Sequence, residues 1–285
     1  LTTDGAVAAA IAHGSHVALS AYVLRLGSAV ETALERAADR GAHVSVTLEG
    51  HPYRGGTGAD SPASANRRTA EALRQHGVAV RLTGRGAVPV HLKGAVVDGT
   101  AYLDDRNWTG DGHDTIVATT GARQVAAVAS ALAGRATAPV RGLALDKAAA
   151  LRLEARAIRD AAGDRLDVQS ESFGYSCVYD ALRYRAVRGT HVRLVVSARE
   201  YAHRRNTAER AALRRLREAG VEVRVVAGDE KLCIGGDRGW VGSANATFAG
   251  KPMLDWGLQT RDPVLLRELE RRFAATWATA VEPRR

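Results

Sequence analysis

Apolar positions along this chain alternate between strand-like runs and helix-like spacing, block after block. Residues 16–24 (HVALSAYVL) make an apolar run of strand length, and Ser28 to Arg40 follows with helical spacing. Ser28 offers an N-cap oxygen with Glu31 three residues on, and Gly41 stops the helix. Ala42 to Leu48 alternates as a strand, and a loop rich in Gly, Ser and Pro runs from Glu49 to Ala65. The next helix reaches about His76 and stops at Gly77, before a short strand from Val78 to Leu82. Residues 91–97 and 100–107 predict two strands joined at Asp98-Gly99, a two-residue hairpin turn. A polar loop, a strand near 115–119 and a helix through about Leu132 complete the series.

The series then repeats. Ala133 to Gly142 reads as a linker and Asp146 to Ala162 as a helix. Strand 166–173, helix 176–188, strand 191–197, helix 207–219 and strand 221–226 lead to a second hairpin at 229–245 (DEKLCIGGDRGWVGSAN), then strand 256–260 and helix 263–277. Arg40–Val44 (RGAHV) matches Arg188–Val192 (RGTHV) at an offset of 148, and Lys93 and Asn107 match Lys231 and Asn245 at 138. Asp114 matches Asp255 at 141. A constant order with a drifting offset marks an internal duplication with altered loop lengths. The expected fold class is α/β: two homologous halves, residues 1–138 and 139–285, each with a largely parallel sheet. Two such copies are expected to pack about a pseudo-twofold axis with both hairpins at one cleft, so that a monomer suffices.

Composition adds one constraint. With 285 residues, 46% hydrophobic and 25% charged, the chain is an ordinary globular protein. Its net charge of +9 favours an anionic partner such as nucleic acid, a phospholipid head group or another phosphate ester. Cys177 and Cys233 form neither a disulfide framework nor a zinc site, and each reads as a small core residue. No apolar run is long enough for a transmembrane helix. The compartment stays open between secretion after removal of a leader and the cytoplasm.

The hairpins carry the chemistry. On a strand, side chains two apart share a face, so His91 and Lys93 point the same way, and Asn107 returns beside them. An imidazole, an ammonium and an amide on one surface suit a phosphate: a nucleophile or base, a fixed charge and a neutral donor. Lys231, Ser243 and Asn245 repeat part of this set.

His91-Leu92-Lys93 with Asp98 resembles the H-x-K-x-x-x-x-D signature of the phospholipase D superfamily, and Gly242-Ser243-Ala244-Asn245 resembles its G-S-x-N. The resemblance extends over nearly the whole chain. It implies two phospholipase D-like halves and phosphodiester chemistry without a metal or other cofactor. One histidine attacks phosphorus to give a phosphohistidine, and a second protonates the leaving group and then activates water or an alcohol. Lysines and asparagines of both halves, here Lys93, Asn107, Lys231 and Asn245, hold the phosphoryl oxygens. An acidic residue after the asparagine orients the histidine in many members, and Asp114 and Asp255 occupy the matching positions.

Both halves depart from the pattern. Asp104-Asp105 stands where Gly-Ser belongs, and these carboxylates would repel a phosphate unless they point away or pair with Arg106. Asp229 stands where the second histidine belongs; the alternative register puts Glu230 there, but sacrifices Lys231. His91 is then the nucleophile, and the general acid is Asp229, Glu230, His113 or none, with a good leaving group in the last case. Trp108, beside Asn107, is a candidate for lining the cleft. His51, Arg54, Arg199, His203, Arg204 and Arg205 follow strand ends where α/β sheets bind ligands. No His, Cys and carboxylate spacing fits a metal site, and the glycines at 55–58 lack a P-loop ending. Three functions remain: a phosphodiesterase acting on phospholipid or nucleic acid, an impaired relative that binds phosphate without turnover, and a phosphatidyltransferase.

Overall fold

The computed structural model describes residues 1–52, 61–110, 114–203 and 206–283; Arg54, Gly55–Gly58, His113, Arg204 and Arg205 lie outside them. The chain divides into two compact units. Unit 1 is Leu1–Arg141 together with Pro252–Trp256, and unit 2 is Gly142–Lys251 together with Gly257–Arg285.

Unit 1 contains, in order, α1 (Asp4–His13), β1 (His16–Ala21), α2 (Ala29–Asp39), β2 (His43–Leu48), α3 (Pro62–Gln75), β3 (Ala79–Leu82), β4 (Gly94–Val97), β5 (Thr100–Asp104), β6 (Ile116–Thr119) and α4 (Ala122–Leu132). Among the described residues its sheet has the order β3-β2-β1-β4-β5-β6. Only β1–β2 and β2–β3 pair in parallel; β4, β5 and β6 pair antiparallel. The expectation of a largely parallel sheet therefore needs correction, because a two-residue hairpin can only reverse the chain. Unit 2 contains β7 (Leu143–Asp146), α5 (Lys147–Asp160), β8 (Arg165–Ser170), α6 (Cys177–Ala186), β9 (His191–Ser197), α7 (Ala198–Ala202), α8 (Thr207–Glu218), β10 (Glu222–Val226), β11 (Leu232–Gly235), β12 (Arg238–Gly242) and α9 (Pro263–Thr279). A further strand, β13 (Leu254–Thr260), begins in unit 1 and continues in unit 2. The second sheet has the order β10-β9-β8-β11-β12-β13-β7, with the same parallel half and antiparallel hairpin half.

Local chemistry explains the boundaries. Ser28 accepts from the Glu31 N–H at the start of α2, and the Glu31 carboxylate accepts in return from Gly27 N–H. Ser61 caps α3 and Asp262 caps α9, each followed by a proline that needs no N–H partner. In the first hairpin both turn residues have positive φ, Asp98 at 43° and Gly99 at 89°, as a mirror-image type I turn requires. The Asp98 carboxylate also accepts from the Ser15 and His16 N–H groups, which holds it below the usual carboxylate range. In the second hairpin the glycine comes first, with Gly236 at φ 53°; a Cβ there would meet the Ala162 carbonyl oxygen.

Two stretches were not legible from periodicity: α1, and β7 directly before the helix capped by Asp146. Each unit buries its own core, centred on Val17, Leu19, Val46, Leu34 and Leu73 in unit 1 and on Leu166, Val168, Leu194, Leu182 and Leu216 in unit 2. Cys233 is buried in the second core and Cys177 is partly buried; burial raises both thiols. Among the described residues no helix is long and apolar enough to cross a membrane.

Candidate functional site

In unit 1 the chain from Pro89 to Lys93 runs beside the inserted segment 252–256. Leu254 N–H donates to Pro89 O at 2.9 Å and His91 N–H donates to Leu254 O at 2.8 Å. His91 is thus not the first residue of a hairpin strand, since β4 begins only at Gly94. The parallel bridge Val90–Leu254 holds it instead. That register sets Asp255 beside the imidazole, with Nδ1 3.2 Å from Asp255 Oδ2. The other Asp255 oxygen accepts from Trp256 N–H at 3.2 Å, and the Trp256 indole N–H donates to the Asp104 carbonyl at 2.7 Å. Asp255 is therefore buried and fixed at both oxygens.

Lys93 reaches the same imidazole, its Nζ 2.8 Å from Nε2 and 3.0 Å from Nδ1. Only 1% of Lys93 is exposed. The carboxylate needs a donor and the ammonium needs an acceptor. Both are satisfied when Nδ1 carries the proton toward Asp255 and Nε2 keeps a lone pair toward Lys93. Tyr22, just past β1, packs edge-on against the imidazole with ring centres 4.9 Å apart, and its ring centre lies 5.6 Å from Lys93 Nζ.

The Asp104-Asp105 pair points into the protein. Asp104 accepts from Trp108 N–H at 2.6 Å and Arg106 N–H at 3.1 Å, and Asp105 accepts from Thr115 N–H at 2.8 Å. Asp114 accepts from the Thr109 N–H and hydroxyl, and lies 3.4 Å from Arg106 Nη1. Carboxylate oxygens of Asp104, Asp105 and Asp114 lie within 4.8 Å of one another. Burial, and secondarily the charge of Asp114, pushes the Asp104 carboxyl up to about 8, against the lowering pull of the Trp108 and Arg106 N–H groups. Three carboxylates so close could receive a cation, a grouping no sequence spacing anticipates; backbone donors and Arg106 already serve them. Trp108 corrects the expectation of a cleft-lining residue: it is 2% exposed, sits at φ 53° and donates its indole N–H to Ser20 O. Asn107 accepts from Val23 N–H at 3.2 Å, tying the hairpin to the end of β1.

Unit 2 repeats the frame with other side chains. Asn245 accepts from Ser172 N–H at 3.3 Å, the counterpart of the Asn107–Val23 bond. Ser243 is fully buried. Lys231 is 2% exposed; it donates to the Asp229 carbonyl and lies 3.4 Å from Glu171 Oε2. Asn245 Nδ2 donates to that same oxygen at 3.2 Å. Glu230 turns elsewhere, with Arg272 at 3.5 Å. Lys231 therefore sits beside Asn245 and Glu171. Of the other loop candidates, His51 donates its backbone N–H to Glu49, and His203 is exposed.

Sequence reasoning missed Tyr22, Glu171 and Trp256. The first two directly follow β1 and β8, so the rule that ligands meet the carboxyl ends of parallel strands could have flagged them. Trp256 carried no such signal, because its partner lies far away in sequence.

Residues 155–277 match the family model described as "Cardiolipin synthase, PLD-like domain", a match that falls on the half in which Asp229 stands in the histidine's place. Phosphatidylserine synthase from Haemophilus influenzae Rd KW20 is similar in structure at a TM-score of 0.69 and 12% identity, over 98% of this chain and 84% of that one. Polyphosphate kinase from Porphyromonas gingivalis is similar at 0.66 and 19% identity, over 96% of this chain; the chain spans about half (48%) of that protein's length. The Salmonella typhimurium phospholipase D family member Nuc aligns over 50% of this chain and 98% of its own, at a TM-score of 0.44 and 19% identity. No curated protein sequence matches the chain. Residues 155–277 therefore carry the match to a PLD-like domain, and nearly the whole chain shares the fold of the phosphatidylserine synthase.

Proposed function

We propose that the protein is a phosphodiester-cleaving enzyme of phospholipase D type, with His91 as nucleophile and Asp255 and Lys93 as its supports. The observation that carries this reading is the imidazole held between Asp255 at Nδ1 and Lys93 at Nε2. Nε2 attacks phosphorus, the P–O bond to the leaving group breaks, and the proton stays on Nδ1, where its hydrogen bond to the Asp255 carboxylate stabilises the charged ring. Lys93 passes from Nε2 to a phosphoryl oxygen as negative charge develops there. Water or an alcohol then attacks the phosphohistidine, giving hydrolysis or transfer. Asp229 replaces the second histidine, so the leaving group is one that departs with little protonation.

The halves 1–138 and 139–285 are the units of the duplication in this reading, and the substrate is a phospholipid or nucleic acid phosphodiester. A phosphate-binding protein without turnover is the second reading, favoured by Asp229 in the histidine's place. Wild type and His91→Asn are compared on bis(4-nitrophenyl) phosphate in excess EDTA. Turnover by wild type that falls about 10³-fold in the variant supports the enzyme. Equal background rates for both give the binding reading instead.

A further inference from the structure

Residue 171 differs from its counterpart in a way that changes what the second motif can hold. Asn107 and Asn245 accept from Val23 and Ser172 N–H respectively, so Tyr22 and Glu171 occupy the same place in the two units. Beside Lys93 that place holds a neutral phenol. Beside Lys231 it holds a carboxylate, and both of its oxygens are engaged. Oε2 takes the Asn245 amide at 3.2 Å and lies 3.4 Å from Lys231 Nζ, while Oε1 takes the Arg199 guanidinium at 3.1 Å. An ammonium, an amide and a guanidinium converging on two oxygens is a donor set for an oxyanion.

We infer that Glu171 is the resident anion of the second motif: its carboxylate fills a phosphate seat built by Lys231, Asn245 and Arg199, and excludes phosphate from unit 2. Like charges a few ångströms apart repel strongly where water is scarce, so phosphate and the Glu171 carboxylate do not share this seat. The seat is reached from the Arg199 side, where that side chain is 73% exposed and Glu171 is 18% exposed, whereas Lys231 forms the floor at 3%. Unit 2 thus keeps the donors of its motif while supplying its own ligand to them. The inference concerns the donors of unit 2 and is read by phosphate binding rather than by turnover.

Phosphate binding to the full chain is counted by isothermal titration with inorganic phosphate, for wild type, Glu171→Gln, Glu171→Ser, Lys231→Met and Glu171→Gln/Lys231→Met. The expected result is one additional phosphate per chain in both single variants, at least about tenfold tighter than any binding by wild type at that seat, or about 1.4 kcal/mol. The double variant is expected to lose the gain. Counting the increment over wild type separates this result from any phosphate held near His91. Folded single variants without a gain would overturn the inference. So would a wild type that loses a phosphate on Lys231→Met alone, since the seat would then already accept phosphate. If circular dichroism shows both single variants unfolded, the carboxylate is a structural brace and the inference falls.

Discussion

Where β1 ends in unit 1 and β8 ends in unit 2, the two units share a backbone and differ in chemistry. In both, an asparagine from the hairpin's far end accepts the second N–H beyond that strand. In both, a buried lysine stands at the hairpin's entry. Around this frame unit 1 places Tyr22, His91 and an inserted Asp255, whereas unit 2 places Glu171 and Asp229. The contrast separates what the fold needs from what a reaction needs. The asparagine bonds satisfy backbone donors that would otherwise be orphaned, so they persist in both halves. The surroundings of His91 and of Lys231 have no such structural reason, and they differ.

The strongest test of this contrast is the carboxylate behind the imidazole. Asp255→Asn is expected to lower kcat by about 10²–10⁴-fold with a small change in KM, because the amide favours the wrong tautomer. Asp114→Asn, at the matching position of the first half, is expected to change kcat less than about threefold, since Asp114 serves Thr109 and Arg106. Steady-state kinetics on the same diester reads both. A symmetric loss would break the comparison.

The lysines come next. Lys93→Met is expected to cost about 10²–10³-fold in kcat, as the loss of a donor to developing charge does. Lys231→Met is expected to cost less than about tenfold, because its ammonium already faces a carboxylate. Equal losses from the two variants would show that both halves work on the same phosphate.

Asp104 marks a third difference, visible in stability against pH. Its folded pKa of about 8 lies above the ordinary 3.8, so the folded state keeps a proton that the unfolded chain releases. This contribution is complete below about pH 4 and is lost as pH rises through about 8. Asp104→Asn is expected to flatten the decline in thermal melting temperature over that window and to exceed wild type at pH 8 by roughly 1–3 kcal/mol. The glycine at the matching position in unit 2, Gly242, has no such proton to lose. An unchanged pH profile would place the buried proton elsewhere.

The smallest effects are expected where the units agree. Asn107→Ala and Asn245→Ala each remove one acceptor from a backbone N–H at a cost of about 1 kcal/mol in urea denaturation, and Asn245→Ala is expected to cost somewhat more because its amide also donates to Glu171. A large disparity between the two would mean that the shared frame is not equally used.

Much of this molecule could be read along the chain. Ser28, Gly41 and Gly77 mark helix ends, and Asp98-Gly99 marks a hairpin, because caps and turns depend on neighbours in sequence. The drifting offsets between RGAHV and RGTHV, and between Lys93 and Lys231, mark the duplication in the sequence itself. The mixed character of the sheets was harder to see, since alternation in β4 gives its face but not its direction relative to β1.

What the amino-acid order determined by itself was the repeated α/β series and the pairing of His91 with Lys93, both set by spacings of a few residues. Only tertiary structure decided that residues 252–256 enter unit 1, that Asp255 rather than Asp114 meets the imidazole, and that Glu171 faces Lys231. Those contacts join residues 60 to 164 positions apart. Local propensity carries no information over such distances; it is the burial of each core and the register of each sheet that bring the charges together.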